Sequence, residues 1–139
     1  TTLHRVRKGQ FIYSRLFAFE GAYGMVTDEF DGAYVSNEYP TFECKPESAR
    51  PEFLSAYFKA PSVWKQVATG SKGLGDRRQR VQPAQVLGHE IWLPPFAWQA
   101  RIAEVQAEVG TLKRHQADTA AELDALLPAI LDRAFRGEL

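Results

Sequence analysis

The chain of 139 residues is 45% hydrophobic and 24% charged, and its 17 Lys+Arg balance 17 Asp+Glu, so it carries no formal net charge. That length allows one ordinary domain, or one domain with an appendage, and nine Phe, five Tyr and three Trp supply a real core. A single cysteine, Cys44, excludes an intramolecular disulfide and any multi-cysteine metal site, and no run of about 18 or more apolar residues offers a membrane-spanning helix.

The chain opens on Thr1 and not on Met, which reads as a processed chain or a piece of a longer protein, the second being favoured. A neutral total argues mildly against nucleic acid, but the charge is unevenly spread. Residues 1–95 hold 12 Lys+Arg against 10 Asp+Glu, a net of +2, and residues 96–139 hold 5 against 7, a net of −2. Between Lys65 and Arg80 five cations meet one anion. Such a cluster can meet phosphate even in a neutral chain, although a charge run is more often a solvated loop.

Taken in order, residues 1–47 read as strands and turns. Gln10-Phe11-Ile12-Tyr13 follows a Lys8-Gly9 turn and is rich in β-formers. Gly21, Gly24 and Gly32 punctuate the next stretch. Ala33–Ser36 and Thr41–Cys44 predict further strands, split by a turn at Asn37-Glu38-Tyr39-Pro40. A short helix is predicted over Pro51–Lys59, with Pro51 in its first turn and Phe53, Leu54, Tyr57 and Phe58 on a core-facing side. A second, about Pro61–Thr69, carries Val63, Trp64 and Val67. The segment Gly70–Asp76 has three glycines and reads as a flexible loop running into Arg77-Arg78-Gln79-Arg80. Glu90-Ile91-Trp92-Leu93 predicts one more strand, stopped by Pro94-Pro95.

The remaining residues, 96–139, predict one long helix. Ile102, Val105, Val109, Leu112, Leu123, Leu126 and Ile130 recur at spacings of three and four, the seam of a helix that lies along another helix. Gln116 and Thr119 interrupt that seam in the middle, and Arg133 ends it. Polar seam residues cost stability but fix register and partner. Gly110 and Pro128 predict a weak spot and a kink or break near Leu127. A helical arm of roughly 40 residues would reach about 60 Å. The predicted fold class is therefore α+β. A small mixed head of strands and short helices, residues 1–95, precedes one long C-terminal coiled-coil helix, residues 96–139.

Several of these stretches, in this order and spacing, resemble the specificity (S) subunit of type I restriction-modification systems. They are Gly9–Arg15 with Gly21–Gly24, Gly32–Phe42, the Gly70-Ser71 loop leading into Arg77–Val81, Ile91–Pro95 with Gln99 and Ile102, and Leu127–Leu139. Trp98 stands where that family pattern has an acidic residue. The resemblance covers nearly the whole chain and implies the second part of one target recognition domain plus its spacer helix. It further implies a family architecture in which two recognition domains each read half of a split DNA target. Their two long helices pair antiparallel, and modification subunits with methyltransferase activity dock on those helices. Restriction subunits join that core. The implied partners are double-stranded DNA, modification and restriction subunits, and a second copy or second half of the S subunit through the helix. The implied location is cytoplasmic.

Within that frame, Lys72, Arg77, Arg78 and Arg80 are the leading candidates for DNA contact. A guanidinium can clamp phosphate or pair with guanine, and phosphate is the commoner partner. Ser14 and Arg15 at a strand end are candidates too, against a turn residue and a surface arginine. Ser36 and Asn37, with Glu38 and Tyr39, offer mixed donors and acceptors, against a structural turn before Pro40. His4, His89 and His115 are scattered and read as structural or surface residues. Cys44 reads as a half-buried strand residue. No nucleophile–base pair, metal cluster or cofactor pattern is present, so the expectation is a non-catalytic subunit without a cofactor. The rival reading is a protein–protein interaction module with a coiled-coil arm and no direct DNA contact.

Overall fold

A computed structural model of the chain describes residues 2–69 and 80–138. Five short strands and four helices follow one another: β1 (Leu3–Arg5), β2 (Phe11–Tyr13), β3 (Tyr23–Met25), β4 (Tyr34–Ser36), β5 (Thr41–Phe42), α1 (Pro51–Phe58), α2 (Pro61–Ala68), α3 (Pro83–Leu87) and α4 (Phe96–Phe135). This is the expected α+β head followed by a long C-terminal helix. The chain divides into two compact units, Thr1–Ala103 and Glu104–Leu139.

In the first unit, β1 and β4 pair antiparallel, with Leu3 opposite Ser36 and Arg5 opposite Tyr34. A second antiparallel sheet has the order β3-β2-β5. Its register sets Phe11 opposite Met25 and Phe42, and Tyr13 opposite Tyr23. Because side chains alternate along a strand, Phe11 and Tyr13 share one face, and that face is covered by α1. The Phe58 ring lies 5.2 Å from Phe11 and 5.1 Å from Tyr23, and Tyr13 and Tyr23 stack at 5.5 Å. The predicted apolar faces of the two short helices enter this core: Phe53, Phe58, Val63 and Val67 are buried, and Leu54, Tyr57 and Trp64 are partly so. Burial pushes the Tyr23 phenol up to about 12, and its hydroxyl has no hydrogen-bond partner among the described residues. His89 packs on this core as a structural residue, its Nε2 3.4 Å from the Tyr57 hydroxyl. Cys44 is half-buried, and burial, followed by the Glu52 carboxylate, raises its thiol pKa.

Gly21 is required where it stands. It ends a 3-10 turn, Ala18–Glu20, in the left-handed region at φ 85°, and a Cβ there would meet Trp64 Nε1 at 3.0 Å. Gly21→Ala therefore adds backbone strain to a clash with a core indole. The expected loss is about 2 kcal/mol, read as a lower thermal midpoint with unchanged far-UV circular dichroism in the folded state.

Two local expectations differ from the structure, and one element is unanticipated. Glu90–Leu93 is irregular, not a strand. β-Forming residues need an edge to pair with, and Trp92 there is 78% exposed. The short helix α3 forms at Pro83, where composition alone gives little signal. Its start is fixed by Pro at the first turn and by a reciprocal pair of bonds between Gln82 and Gln85. The long helix runs unbroken through Gly110 and Pro128 to Phe135. Pro128 withholds one N–H from the Asp124 carbonyl, but Asp124 and Pro128 are both exposed, so water can take up that bond. The helix then closes at Gly137, φ 69°, with Glu138 N–H donating to the Arg133 carbonyl at 3.0 Å.

In the second unit the described side chains are exposed apart from half-buried Gly110. Val105, Val109, Leu112, Leu123, Leu126 and Ile130 are all among the exposed large hydrophobics, joined by Leu127, Leu131 and Phe135. No helix in the described residues is long and apolar enough to cross a membrane.

Candidate nucleic-acid interface

Three segments distant in sequence meet at one end of β2: its last residues to Arg15, the turn Ser36–Pro40 between β4 and β5, and Arg80–Gln82 ahead of α3. The backbone does the joining. Arg15 N–H donates to the Glu38 carbonyl at 2.8 Å, and Val81 N–H donates to the Arg15 carbonyl at 3.0 Å. The Tyr13 hydroxyl, driven into the core by its ring, donates to the Val81 carbonyl at 3.0 Å. Val81 is itself fully buried. Burial of Tyr13 raises its phenol pKa far above the ordinary value, so the hydroxyl stays a donor at any working pH.

Side chains then knit the surface of this junction. Arg15 Nη2 donates to Gln82 Oε1 at 2.7 Å, and Nη1 reaches the Asn37 carbonyl at 3.5 Å. Arg80 Nε donates to Glu38 Oε2 at 3.1 Å, an ion pair between half-exposed groups. Glu38 N–H donates to Ser36 Oγ at 3.3 Å, which braces the turn. The Asn37 side chain is exposed.

Of the eight residues singled out from sequence, Arg15, Ser36, Asn37 and Arg80 are thus brought together. Ser14 is buried instead: its Oγ accepts from Phe17 N–H at 3.3 Å, which orders the turn after β2. Lys72, Arg77 and Arg78 lie outside the described residues. Two pairings in the cluster carried no sequence signal: Glu38, named from sequence only for its own turn, as the partner of Arg80, and Gln82, not named at all, as the partner of Arg15. Both contacts span more than 40 residues, which no local pattern encodes.

The arrangement presents two guanidinium groups, an amide, a hydroxyl and the Glu38 carboxylate on one surface, and the guanidinium and amide groups suit phosphates and base edges. It holds no nucleophile–base pair. Among the described residues no group of three or more His, Cys, Asp or Glu could hold a metal ion.

A second feature of the head is buried. Gln99, in the first turn of α4, is fully buried. Its Oε1 accepts from Arg50 N–H at 2.8 Å, and its Nε2 donates to the carbonyls of Ser48 and Pro94 at 2.9 and 3.0 Å. Arg50 adds a bond from Nε to the Phe96 carbonyl and lies over the Phe96 ring. Gln99, just after the Leu93-Pro94-Pro95 stop, is therefore the clamp that fixes the start of the helix to the segment before α1.

No protein-family model matches the chain, and no curated protein matches it. Among solved structures, it is similar to the crystal structure of the HsdS subunit from Thermoanaerobacter tengcongensis, with a TM-score of 0.66 at 25% sequence identity. The match covers 88% of this chain and 32% of that one, so the chain spans about a third of the length of the protein it matches. The chain has the fold of part of a type I restriction-modification specificity subunit, the family that its sequence motifs resemble.

Proposed function

We propose that the chain is a non-catalytic DNA-specificity module of a type I restriction-modification complex, acting in the cytoplasm. Its head reads one half of a split target, mainly from the major groove, and its long helix pairs with a like helix and docks modification subunits. The observation that carries this reading is the junction of Arg15, Asn37 and Arg80 in a chain with an HsdS-like fold. Lys72, Arg77 and Arg78 precede Arg80 in sequence and extend its cationic character. Ser36 supports the reading as the brace of the turn that presents Asn37.

An electrophoretic shift assay on random duplex DNA at two salt concentrations tests it. Binding falls steeply as salt rises if phosphates are neutralised, with a slope near 0.9 per contact. Replacing Arg77, Arg78 and Arg80 together with Ala is expected to weaken binding at least about tenfold and flatten the salt slope by about 1 for each of these arginines that meets a phosphate, with the thermal midpoint kept. Salt-insensitive binding, or none, favours the rival interaction module.

A further inference from the structure

Glu38 is out of place on a surface that would meet a polyanion. A carboxylate there repels phosphate, and an ion pair this exposed adds little stability. Yet Glu38 is held firmly: its carbonyl accepts from Arg15 N–H at 2.8 Å, and its N–H donates to Ser36 Oγ. Its partner is anchored as well, because the next residue, Val81, is fully buried and bonded to Arg15. The carboxylate engages Arg80 through Nε. That leaves the opposite edge of the guanidinium, the Nη1/Nη2 pair, with no hydrogen bond among the described residues.

An arginine so gripped by one edge presents its other edge in a fixed direction. Two parallel N–H groups match the O6 and N7 acceptors of guanine. A phosphate contact would gain nothing from a neighbouring carboxylate, whereas a base edge is neutral and is not repelled by it. We propose that Glu38 is a positioning residue that aims the outer edge of Arg80 at a guanine in the target. This inference rests on the DNA-binding reading above.

The test is selection from a duplex library with randomised positions, using the full chain. Wild type should enrich a half-site containing one fixed guanine. Arg80→Ala should lose the preference at that position about tenfold. Glu38→Ala should loosen the same position several-fold, while affinity for random duplex is kept or rises because an anion is gone. Glu38→Gln, whose amide oxygen still accepts from Nε, should retain most of the preference. In an Arg80→Lys background, Glu38→Ala should change the preference no further, since the forked geometry is already lost. If Glu38→Ala enriches the same site with equal discrimination, the proposal is overturned and DNA binding stands. A parallel loss of selected and random binding with a lowered thermal midpoint also overturns it, since Glu38 would then serve only the fold. A wild-type chain that binds no duplex at low salt overturns both this inference and the reading beneath it.

Discussion

Replacing Gln99 with Leu is expected to destabilise the head by about 3 kcal/mol, lowering its thermal midpoint by about 12 °C or more. The side chains are close in size, so the cost is electrostatic. Leu leaves the Arg50 N–H and the carbonyls of Ser48 and Pro94 without the partner that Gln99 supplies at 2.8–3.0 Å. Groups buried unpaired cost about 1–3 kcal/mol each. Gln99→Glu gives a sharper check. At neutral pH a carboxylate keeps the bond from Arg50 N–H but sets a negative oxygen against two carbonyls, which raises its folded pKa above the unfolded value near 4.3. The penalty, measured against wild type at the same pH, is full above the folded pKa. It shrinks as pH falls to the unfolded pKa, where the protonated acid can again donate one bond. A Gln99→Leu chain as stable as wild type by calorimetry would show that the clamp contributes nothing.

The second large effect concerns the exposed stripe on α4. Val105, Val109, Leu112, Leu123, Leu126 and Ile130 present their apolar surface along one seam, and a lone helix gains nothing by exposing it. The chain is expected to dimerise in solution through this seam. Leu112→Lys combined with Leu123→Lys is expected to abolish dimerisation. Four leucines withdrawn from a two-helix seam, at about 1.5 kcal/mol each, amount to about 6 kcal/mol, on the order of 10⁴ in Kd. Sedimentation or light scattering over a range of concentrations reads this directly. A wild-type chain that stays monomeric at every concentration would refute the seam. Gln116 and Thr119 offer the complementary change: apolar replacements there should tighten association and relax its register.

The legible parts of this fold were those with local causes. Pro51 and Pro61 each announce a helix start, and the spacing of Phe53, Phe58, Val63 and Val67 announces the buried face that follows. The same holds for the strand at Phe11–Tyr13 and for the long helix. Glu90–Leu93 reads as a strand because its residues favour one, but whether a strand forms depends on a neighbouring edge that the residues themselves do not supply. Pro128 reads as a helix kink or break because its missing N–H is a local fact. Whether the helix survives depends on how the freed carbonyl is satisfied, which here falls at a solvated surface.

The candidate site divides along the same line. Cationic residue types could be picked out by inspection, and Arg15, Asn37 and Arg80 do share one surface. Ser14 shows the limit of such inspection. It stands beside Arg15 in sequence, just past the end of β2, but it is buried, and its hydroxyl is taken up by the turn that follows. Composition and periodicity by themselves determined an aromatic core, two proline-started helices and a long helix with an apolar seam, because each follows from neighbours a few positions apart. Only the tertiary structure decided that Glu38 grips Arg80, that Gln82 grips Arg15 and that Gln99 pins the helix start. Those bonds join residues from 5 to 67 positions apart, and all but one of them span more than 40, so they exist only once the β-strands and buried rings have drawn those backbones together.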